Sequence, residues 1–363
     1  VPRRADDKPV DVRRAEELMR LALAETAGTR PHPNPRVGAV VVSPEGRIVA
    51  ARAHEAAGLP HAEVLALADA GAAARGGTLV VTLEPCDHHG RTPPCTTAIV
   101  AAGIARVVVG APDPDPRVRG RGVARLRAAG IEVHDGVLAD VVEANDPGYF
   151  HQRRHGRSRV TLKLAATLDG QAAAADGTSR WITGTAARRD AHLLRAAVDA
   201  VLVGAGTLRA DDPRLDVRLE GYEGPQPRPV VVAGGGDLPA GRALYARHPL
   251  VYRAKEGEVP AGTELVVVAG NGVPDPATVL EDLASRGFLD VLLEGGPTLA
   301  AAWLHAGVVD RLVLYLGARL GLGTGLPVLE GRFPTIAAAR PVRIDAVTRL
   351  GDDLRIDVAM EVS

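Results

Sequence analysis

The sequence predicts an α/β protein of two domains, and three observations carry that reading. Apolar, strand-sized runs alternate with segments of helical period along the whole chain. The alternation is interrupted once, by a basic polar stretch. A length of 363 residues suits two ordinary cores better than one.

Taken in order, the first helix is expected from Asp11 to about Thr26, with Asp11 as its cap and Val12, Ala15, Leu18, Met19, Ala22 and Leu23 on one face. The Pro-rich run Arg30 to Pro35 stops that helix and leads to a strand at Val37 to Val42. A hairpin turn at Pro44-Glu45-Gly46 introduces a second strand, Arg47 to Arg52. Then follow a helix (Ala62 to Ala74), a strand (Thr78 to Leu83) and a helix (Cys95 to Ala102) that Gly103 ends in a left-handed cap. A strand (Ala105 to Gly110), a helix (Gly122 to Ala129), a strand (Ile131 to His134) and a short helix (Leu138 to Asn145) complete a layered domain with a largely parallel sheet. The basic stretch His151 to Arg159 is the expected boundary, giving domains over 1–148 and 158–363. Beyond it, strands are expected at Val160 to Leu164, Ala200 to Val203, Val230 to Ala233, Leu265 to Val268, Val291 to Leu293 and Arg311 to Leu316. Helices are expected near Ala186 to Ala197, Ala277 to Arg286 and Thr298 to Ala306. The halves share no motif, so no duplication is inferred.

Hydrophobic residues make up 46% and aromatic residues 3%, so both cores must be built from Ala, Val and Leu. A formal net charge of −1 supplies no field that would gather nucleic acid or an anionic membrane. No apolar run reaches the roughly 18 residues of a membrane span, and Val1 to Val10 is a charged tail, expected to be frayed, without the apolar centre of a secretion signal. The expectation is a soluble, cytoplasmic protein. Cys86 and Cys95 are the only cysteines, which is unlike a secreted disulfide scaffold. One disulfide between them is the alternative to a metal site.

The sharpest signal is His61-Ala62-Glu63 followed by Pro85-Cys86 and, after eight residues, Cys95. One imidazole and two thiolates give zinc three ligands and leave a fourth tetrahedral position for water, the mark of a catalytic site. Zinc makes that water a usable hydroxide near neutral pH. Glu63, two residues from His61, is placed to carry the water's proton to a leaving amine. Zinc deaminases share a His-x-Glu and Pro-Cys-x-x-Cys signature; here the second cysteine is spaced more widely. His88 and His89 lie between the cysteines and compete as ligands on sequence alone. A base deaminase acting on RNA or DNA needs a cationic strand path and stacking aromatics, which the composition opposes. A purely structural zinc module is opposed by the spare coordination position and by Glu63.

The second half is less explicit. Leu292-Leu293-Glu294-Gly295-Gly296-Pro297-Thr298 reads as strand, glycine turn and helix start, where backbone N–H groups and the helix dipole favour a phosphate. Gly204-Ala205-Gly206-Thr207 after another apolar strand reads as a second such loop. Each alone is also simply a turn.

Arg30 to Gly38, His61-Ala62-Glu63, and Thr82 through Cys95 closely resemble the RibD family of bacterial bifunctional riboflavin-biosynthesis proteins, and the resemblance covers nearly the whole chain. It implies a cytidine-deaminase-like α/β/α layered domain followed by a dihydrofolate-reductase-like α/β domain. It also implies deamination of diaminohydroxyphosphoribosylaminopyrimidine and then reduction of the product's ribosyl group to ribityl by NADPH. By motif position, the zinc ligands would be His61, Cys86 and Cys95, with Glu63 as proton shuttle. Asn34, His54, His88, Arg91, Asp113 and Asp115 would contact the pyrimidine or its ribose phosphate. Many members carry Asn where this chain has Asp115, and often Lys where it has Arg91.

Leu162 through Gly170, Ser179 through Thr183 and Asp211-Asp212-Pro213 match the reductase part. Ala165, Trp181, Thr207, Asp211 and Gly296, Pro297, Thr298, Leu299, Ala300, Ala301 and Ala302 are then expected at the nicotinamide nucleotide. Lys163, Ser179, Arg195, Leu215, Arg218 and Glu294 are expected at the substrate, where the two guanidinium groups suit its phosphate. Read alone, Trp181 serves equally as a core anchor and Arg195 as a helix-surface charge. Lys163 and Asp211 are candidate proton donors. Where relatives place an Asp and a small hydroxyl residue after the strand ending at Val232, this chain has Ala233-Gly234-Gly235-Gly236. That departure is the best support for the competing reading, a deaminase whose second domain only binds nucleotide or holds a homo-oligomer. Family behaviour implies a homo-oligomer through the reductase domain.

Overall fold

The computed structural model describes residues 11–89, 93–323, 325–331 and 334–360, so the expected N-terminal tail lies outside the described residues. It divides into two compact units, one ending at His155 and the other beginning at Gly156.

In the first unit, α1 (Val12–Glu25) precedes β1 (Gly38–Val42), β2 (Ile48–Ala53), α2 (Ala62–Ala70), β3 (Thr78–Leu83), α3 (Cys95–Ala102), β4 (Arg106–Ala111), α4 (Arg121–Ala128), β5 (Glu132–His134), α5 (Ala139–Asn145) and α6 (Pro147–His155). The Asp11 carboxylate accepts from Arg13 N at 3.3 Å, capping α1. Gly103 ends α3 at φ 71°, the left-handed geometry that favours glycine. The sheet order is β2-β1-β3-β4-β5. It is mixed, not largely parallel: β1 is antiparallel to both β2 and β3, and only β3-β4 and β4-β5 are parallel. The hairpin reverses the chain after β1. The α2 crossover then lays β3 parallel to β2 on the far side of β1, hence antiparallel to β1.

Val40, Val41, Val80, Val81 and Val107 to Val109 are fully buried, as strands covered on both faces require. A Cβ on Gly38 would lie 1.8 Å from Ala22 O, so glycine is what lets β1 approach α1. Two further expectations change. The helix expected to Ala74 ends at Ala70 and continues as a 3-10 turn, Gly71–Ala74. The basic stretch around His151, expected as linker, is mostly helix α6, which buries Tyr149 and Phe150 in the first unit.

The second unit contains β6 (Arg159–Thr167), β7 (Gln171–Ala173), α7 (Thr185–Ala196), β8 (Ala200–Gly204), α8 (Ala205–Asp211), β9 (Arg228–Val232), β10 (Leu250–Arg253) and β11 (Glu264–Val267). It continues with α9 (Pro276–Ser285), β12 (Asp290–Leu293), α10 (Pro297–His305), β13 (Arg311–Gly317), β14 (Leu326–Pro327), β15 (Arg343–Leu350) and β16 (Asp353–Ala359). Nine strands form one sheet in the order β11-β10-β9-β8-β12-β6-β13-β16-β15. From β11 to β13 every neighbouring pair is parallel, and β16 and β15 add an antiparallel edge. The core gathers Val160, Leu162, Leu202, Val230, Tyr252, Leu283, Leu293 and Trp303. Among the described residues, no helix is long and apolar enough to cross a membrane.

Candidate active sites

The first unit brings its functional side chains together where two parallel strands end and two helices begin. Cys86 follows β3, Asp113 and Asp115 follow β4, His61 precedes α2 as its cap, and Cys95 opens α3. Glu84 anchors this junction: its carboxylate accepts from Gly120 N at 2.9 Å, Val123 N at 3.2 Å and Asp113 N at 3.4 Å. It thereby places negative charge at the α4 N-terminus. A Cβ on Gly122 would lie 1.9 Å from Pro85 O, so glycine there lets α4 close onto the cysteine loop.

His61 Nδ1 lies 3.2 Å from Cys95 Sγ and 3.7 Å from Cys86 Sγ, and one ligand atom from each of the three residues falls within 4.8 Å of the others. Tetrahedral zinc with Zn–S near 2.3 Å and Zn–N near 2.05 Å requires ligand separations of about 3.6 to 3.8 Å. The cluster fits. Both cysteines are free thiols, not a disulfide. The hydrogen bond with Cys95, then those from His61 and the Cys95 N–H, lowers Cys86 to about 4. The same sulfur contact and burial raise Cys95. Ionising both thiols side by side therefore calls for a cation, which is what a metal provides. Neither His88 nor His89 joins this group; His88 is exposed on the wall of the adjoining cleft.

Glu63 Oε2 is buried with no hydrogen-bond partner, and burial raises its pKa against the pull of His61. It lines a cleft of about 630 Å³ together with Asn34, His54, His61, Cys86, His88, Asp113 and Asp115. Of the residues expected here, only Arg91 lies outside the described residues. His54 Nδ1 lies 3.1 Å from Pro60 O and must donate, which leaves Nε2 to accept from Asn34 Nδ2 at 3.0 Å. Burial lowers the pKa of His54, in keeping with a neutral ring. Asn34 Oδ1 is thus left as the available acceptor.

The sequence reading missed three further residues on this wall: Tyr149 and Arg153 of α6, and Arg117. Tyr149 Oη donates to the Asp113 carboxylate, 3.2 Å from each oxygen. Burial nevertheless raises Asp113 to about 6. Arg117 holds Asp115 through a bidentate pair, with Nη2 at 2.6 Å, and lowers it to about 2. Arg153 stacks on Tyr149 at 4.7 Å.

In the second unit, the crevice at the carboxyl ends of the parallel strands is the place this architecture offers a nucleotide. Gly296 caps α10, and its N–H donates to Thr207 Oγ1 at 3.1 Å, joining the first turn of α8 to the loop after β12. The segment from Ala205 is not the glycine loop expected but the start of α8. Ala300 and Ala301 point into the core, so that stretch of α10 has only its N-terminal turn and Ala302 open to a ligand. Trp181 is 60% exposed and stacks with Arg188 at 4.4 Å, so it is no core anchor.

Arg195 is no surface charge either. Its guanidinium grips Glu294 at 2.6 and 2.9 Å and donates to Asp216 O at 3.0 Å. Lys163 Nζ lies 4.0 Å from the same carboxylate. Burial would raise Glu294, but Arg195 and then Lys163 hold it at about 2. Arg218 pairs with Asp216 and remains half exposed. Leu215 is buried, so only its backbone, at φ 53°, is open to a ligand. Ala165 and Ser179 are half-buried on β6 and before Trp181. Asp211 ends α8 exposed, its carbonyl accepting from Arg180, and its described contacts do not bring it to Lys163.

A histidine and two cysteines beside a buried glutamate with one unpartnered oxygen, joined in one chain to a second unit built on a largely parallel sheet, is the arrangement of a zinc deaminase coupled to a reductase. Residues 12–111 match the cytidine and deoxycytidylate deaminase zinc-binding region, and residues 158–349 match the RibD C-terminal domain. The chain is 42% identical to the riboflavin biosynthesis protein RibD of Mycobacterium tuberculosis, over 96% of this chain and 98% of that one. It is 38% identical to that of Escherichia coli, over 92% and 95%. The fold superposes on Acinetobacter baumannii RibD with a TM-score of 0.89 at 33% identity, covering 96% of this chain and 99% of that one. A Thermotoga maritima diaminohydroxyphosphoribosylaminopyrimidine deaminase/5-amino-6-(5-phosphoribosylamino)uracil reductase gives 0.87 at 34%, covering 96% and 99%. The chain belongs to the RibD family. It is a bifunctional riboflavin-biosynthesis enzyme with a cytidine-deaminase-like zinc domain and a dihydrofolate-reductase-like domain of the kind that uses NADPH. The reading in which the second domain lacks chemistry is not favoured.

Proposed function

We propose that the first unit hydrolyses one amino group from a diaminohydroxyphosphoribosylaminopyrimidine, and that the second reduces the ribosyl group of the resulting uracil to ribityl. The observation that carries this reading is the buried Glu63 carboxylate, one oxygen of it without a partner, beside the His61, Cys86 and Cys95 cluster at one cleft. Zinc held by those three residues supplies a Lewis acid that makes water nucleophilic near neutral pH. Glu63 accepts the proton that water gives up and returns it to the departing nitrogen, so that water is consumed, ring C–NH2 becomes C=O and ammonia leaves. Asn34, held by the neutral His54, offers Oδ1 to an amino group on the ring. Asp113, Asp115, His88 and Arg91 complete the contacts, with Arg117 and Arg153 adding positive charge for the ribose phosphate.

In the second unit NADPH, when bound, would supply the hydride that C1′ of the ring-opened sugar receives. Gly296 to Leu299, Ala302, Thr207, Ala165, Trp181 and Asp211 would hold the nucleotide, with Ala300 and Ala301 packing that helix turn from behind. Arg195 positions Glu294 as a fixed anion able to accept from sugar hydroxyls, while Arg218, Ser179 and the Leu215 backbone face the phosphorylated end. Lys163, half-buried with its Nζ 4.0 Å from the Glu294 carboxylate, is favoured over the exposed Asp211 as proton donor. Domain limits of 1–148 and 158–363 leave α6 between the catalytic domains, although its Tyr149 and Arg153 line the deaminase cleft.

A homo-oligomer through the reductase domain is supported by β15, an edge strand with Ile344 and Val347 exposed. Two free cysteines suit the cytoplasm. The test is to supply the diaminopyrimidine with and without NADPH and to follow ammonia and cofactor oxidation separately. Ammonia in both arms and NADPH oxidation after it are expected. Absence of ammonia from zinc-loaded protein would refute the deaminase assignment.

A further inference from the structure

The phosphate end of the reductase site rests on a stretch that is neither helix nor strand. Residues 212–219 follow α8 in irregular conformation. Leu215 within them has φ 53°, a conformation that a leucine keeps only where its surroundings impose it. Side chains impose it here. That of Leu215 itself is 1% exposed, in one core cluster with Leu208, Leu244 and Val251. From α7, Arg195 Nη1 donates to Asp216 O at 3.0 Å. Gln226 brackets the next residue, its Oε1 accepting from Val217 N at 2.7 Å and its Nε2 donating to Val217 O at 3.2 Å. The third hold is His192, whose Nδ1 accepts from Arg218 N at 3.3 Å. His192 and Arg195 stand one turn apart on α7, so both reach the segment from the same face. Asp216, Val217 and Arg218 are thus each fixed by a side chain from elsewhere in the unit.

The hold at Arg218 depends on the state of the ring. A backbone N–H can only donate, so Nδ1 must be unprotonated, and the neutral imidazole carries its proton on Nε2. The surroundings favour that state. Burial lowers the pKa of His192, and the guanidinium groups of Arg195 and Arg218 lower it further, against the opposing pull of Glu294 and Asp216. An imidazolium would lose the acceptor and set a third cation beside two guanidinium groups. Neither neighbour can take the ring's place. Arg195 offers only donors, and Gln226 is committed to both backbone groups of Val217.

Resting on the reductase reading above, we infer that His192 is a positioning residue for the phosphorylated substrate: its neutral ring fixes the backbone at Arg218, and so sets where that guanidinium and the Leu215 backbone meet the phosphate. It acts through Arg218 and not on the sugar carbon that is reduced, so it governs how well substrate is held and not how fast hydride moves.

The test is steady-state NADPH oxidation by the full chain, with the deaminated intermediate supplied in its phosphorylated and its dephosphorylated forms. Wild type is compared with His192→Leu, which removes the acceptor, and with His192→Gln, whose Oε1 restores one without the ring. A backbone donor left without its acceptor at a half-exposed site is worth about five- to twentyfold in affinity. His192→Leu is expected to raise KM for the phosphorylated substrate by that factor, with kcat and the KM for NADPH each within about threefold of wild type. On the dephosphorylated substrate its kcat/KM should stay within about threefold of wild type, and His192→Gln should bring the phosphorylated KM back to within the same margin. Equal losses on both substrates, an unchanged phosphorylated KM, or a His192→Gln variant as impaired as His192→Leu overturns the inference and leaves the reductase standing. Wild type that oxidises no NADPH with either substrate refutes the reductase reading and this inference with it. If His192→Leu does not fold, His192→Ala decides on the same criteria, since alanine suits a half-exposed helix position.

Discussion

Replacing Glu63 with Gln keeps the shape of the side chain and removes only its ability to take and give a proton. Glu63 has one oxygen buried without a partner, so Gln breaks no hydrogen bond made by that atom. His61, Cys86 and Cys95 remain, so zinc content should stay near one equivalent per chain. Burial raises the pKa of Glu63, moving it toward the working pH where proton transfer in both directions is efficient. A positioned acid–base group of this kind contributes about 10²- to 10⁴-fold, equal to about 3 to 5.5 kcal/mol of barrier. Because the oxygen is idle before reaction, the loss should fall on kcat and leave KM within about threefold. The assay is ammonia release from the diaminopyrimidine, alongside NADPH oxidation with the deaminated intermediate supplied directly. The second rate should not change, since Glu63 lies wholly in the unit that ends at His155. A kcat within tenfold of wild type, with zinc retained, would show that the proton travels by another group.

Three further outcomes follow from the same geometry. Asp113, raised to about 6 from 3.8 by burial, favours folding most when protonated: its contribution is full below about pH 3.8 and is lost as pH rises through 6. Between pH 5 and pH 8 the wild type should lose about 1.4 kcal/mol from this group, so the advantage of Asp113→Asn in unfolding of the first unit should be larger at pH 8; equal advantages at both pH values would refute the shift. Chelating the metal should abolish ammonia release and spare NADPH oxidation on the deaminated intermediate, and loss of both together would contradict separate sites. Glu294→Gln should destabilise the second unit by about 3 to 5 kcal/mol, because it leaves Arg195 buried beside a neutral amide; thermal unfolding that is unchanged for that unit would count against the pair.

What could be read in the sequence was what chemistry restricts to few residue types. Zinc accepts only certain ligand types, so His61, Cys86 and Cys95 stood out as candidates beside His88 and His89, and it is the fold that gathers the first three into one cluster. Strands buried on both faces were legible as valine runs. The antiparallel edge of the second sheet was also legible in principle, since Leu354, Ile356 and Val358 alternate with Arg355 and Asp357 along β16, yet it went unread. β15 gave less to read, because a register shift between Ile344 and Ala346 breaks its alternation. Tyr149 and Arg153 were hidden for a different reason. Their stretch is basic and polar and resembles a linker, and only the fold brings Tyr149 to Asp113, 36 residues away in sequence. Glu84 likewise reads as an ordinary acidic residue after a strand. Its three backbone donors come from residues that lie 29 to 39 positions further on.

The buried carboxylates differ in how each is neutralised, and that difference sorts their roles. Glu294 meets a bidentate guanidinium and an ammonium and is held at about 2; a carboxylate so firmly ionised can accept hydrogen bonds but cannot exchange a proton near neutral pH. Asp113 meets a phenol and a backbone N–H, compensation enough to keep it near 6 and no lower. Its charge therefore responds to whatever enters the cleft. Glu63 alone has an oxygen with no donor at all. Burial favours its protonated form while His61 favours the anion, and a group that must take a proton and then surrender it within one turnover needs such opposed influences. A sequence shows three acidic residues here; the partner that each one has or lacks is a property of the fold.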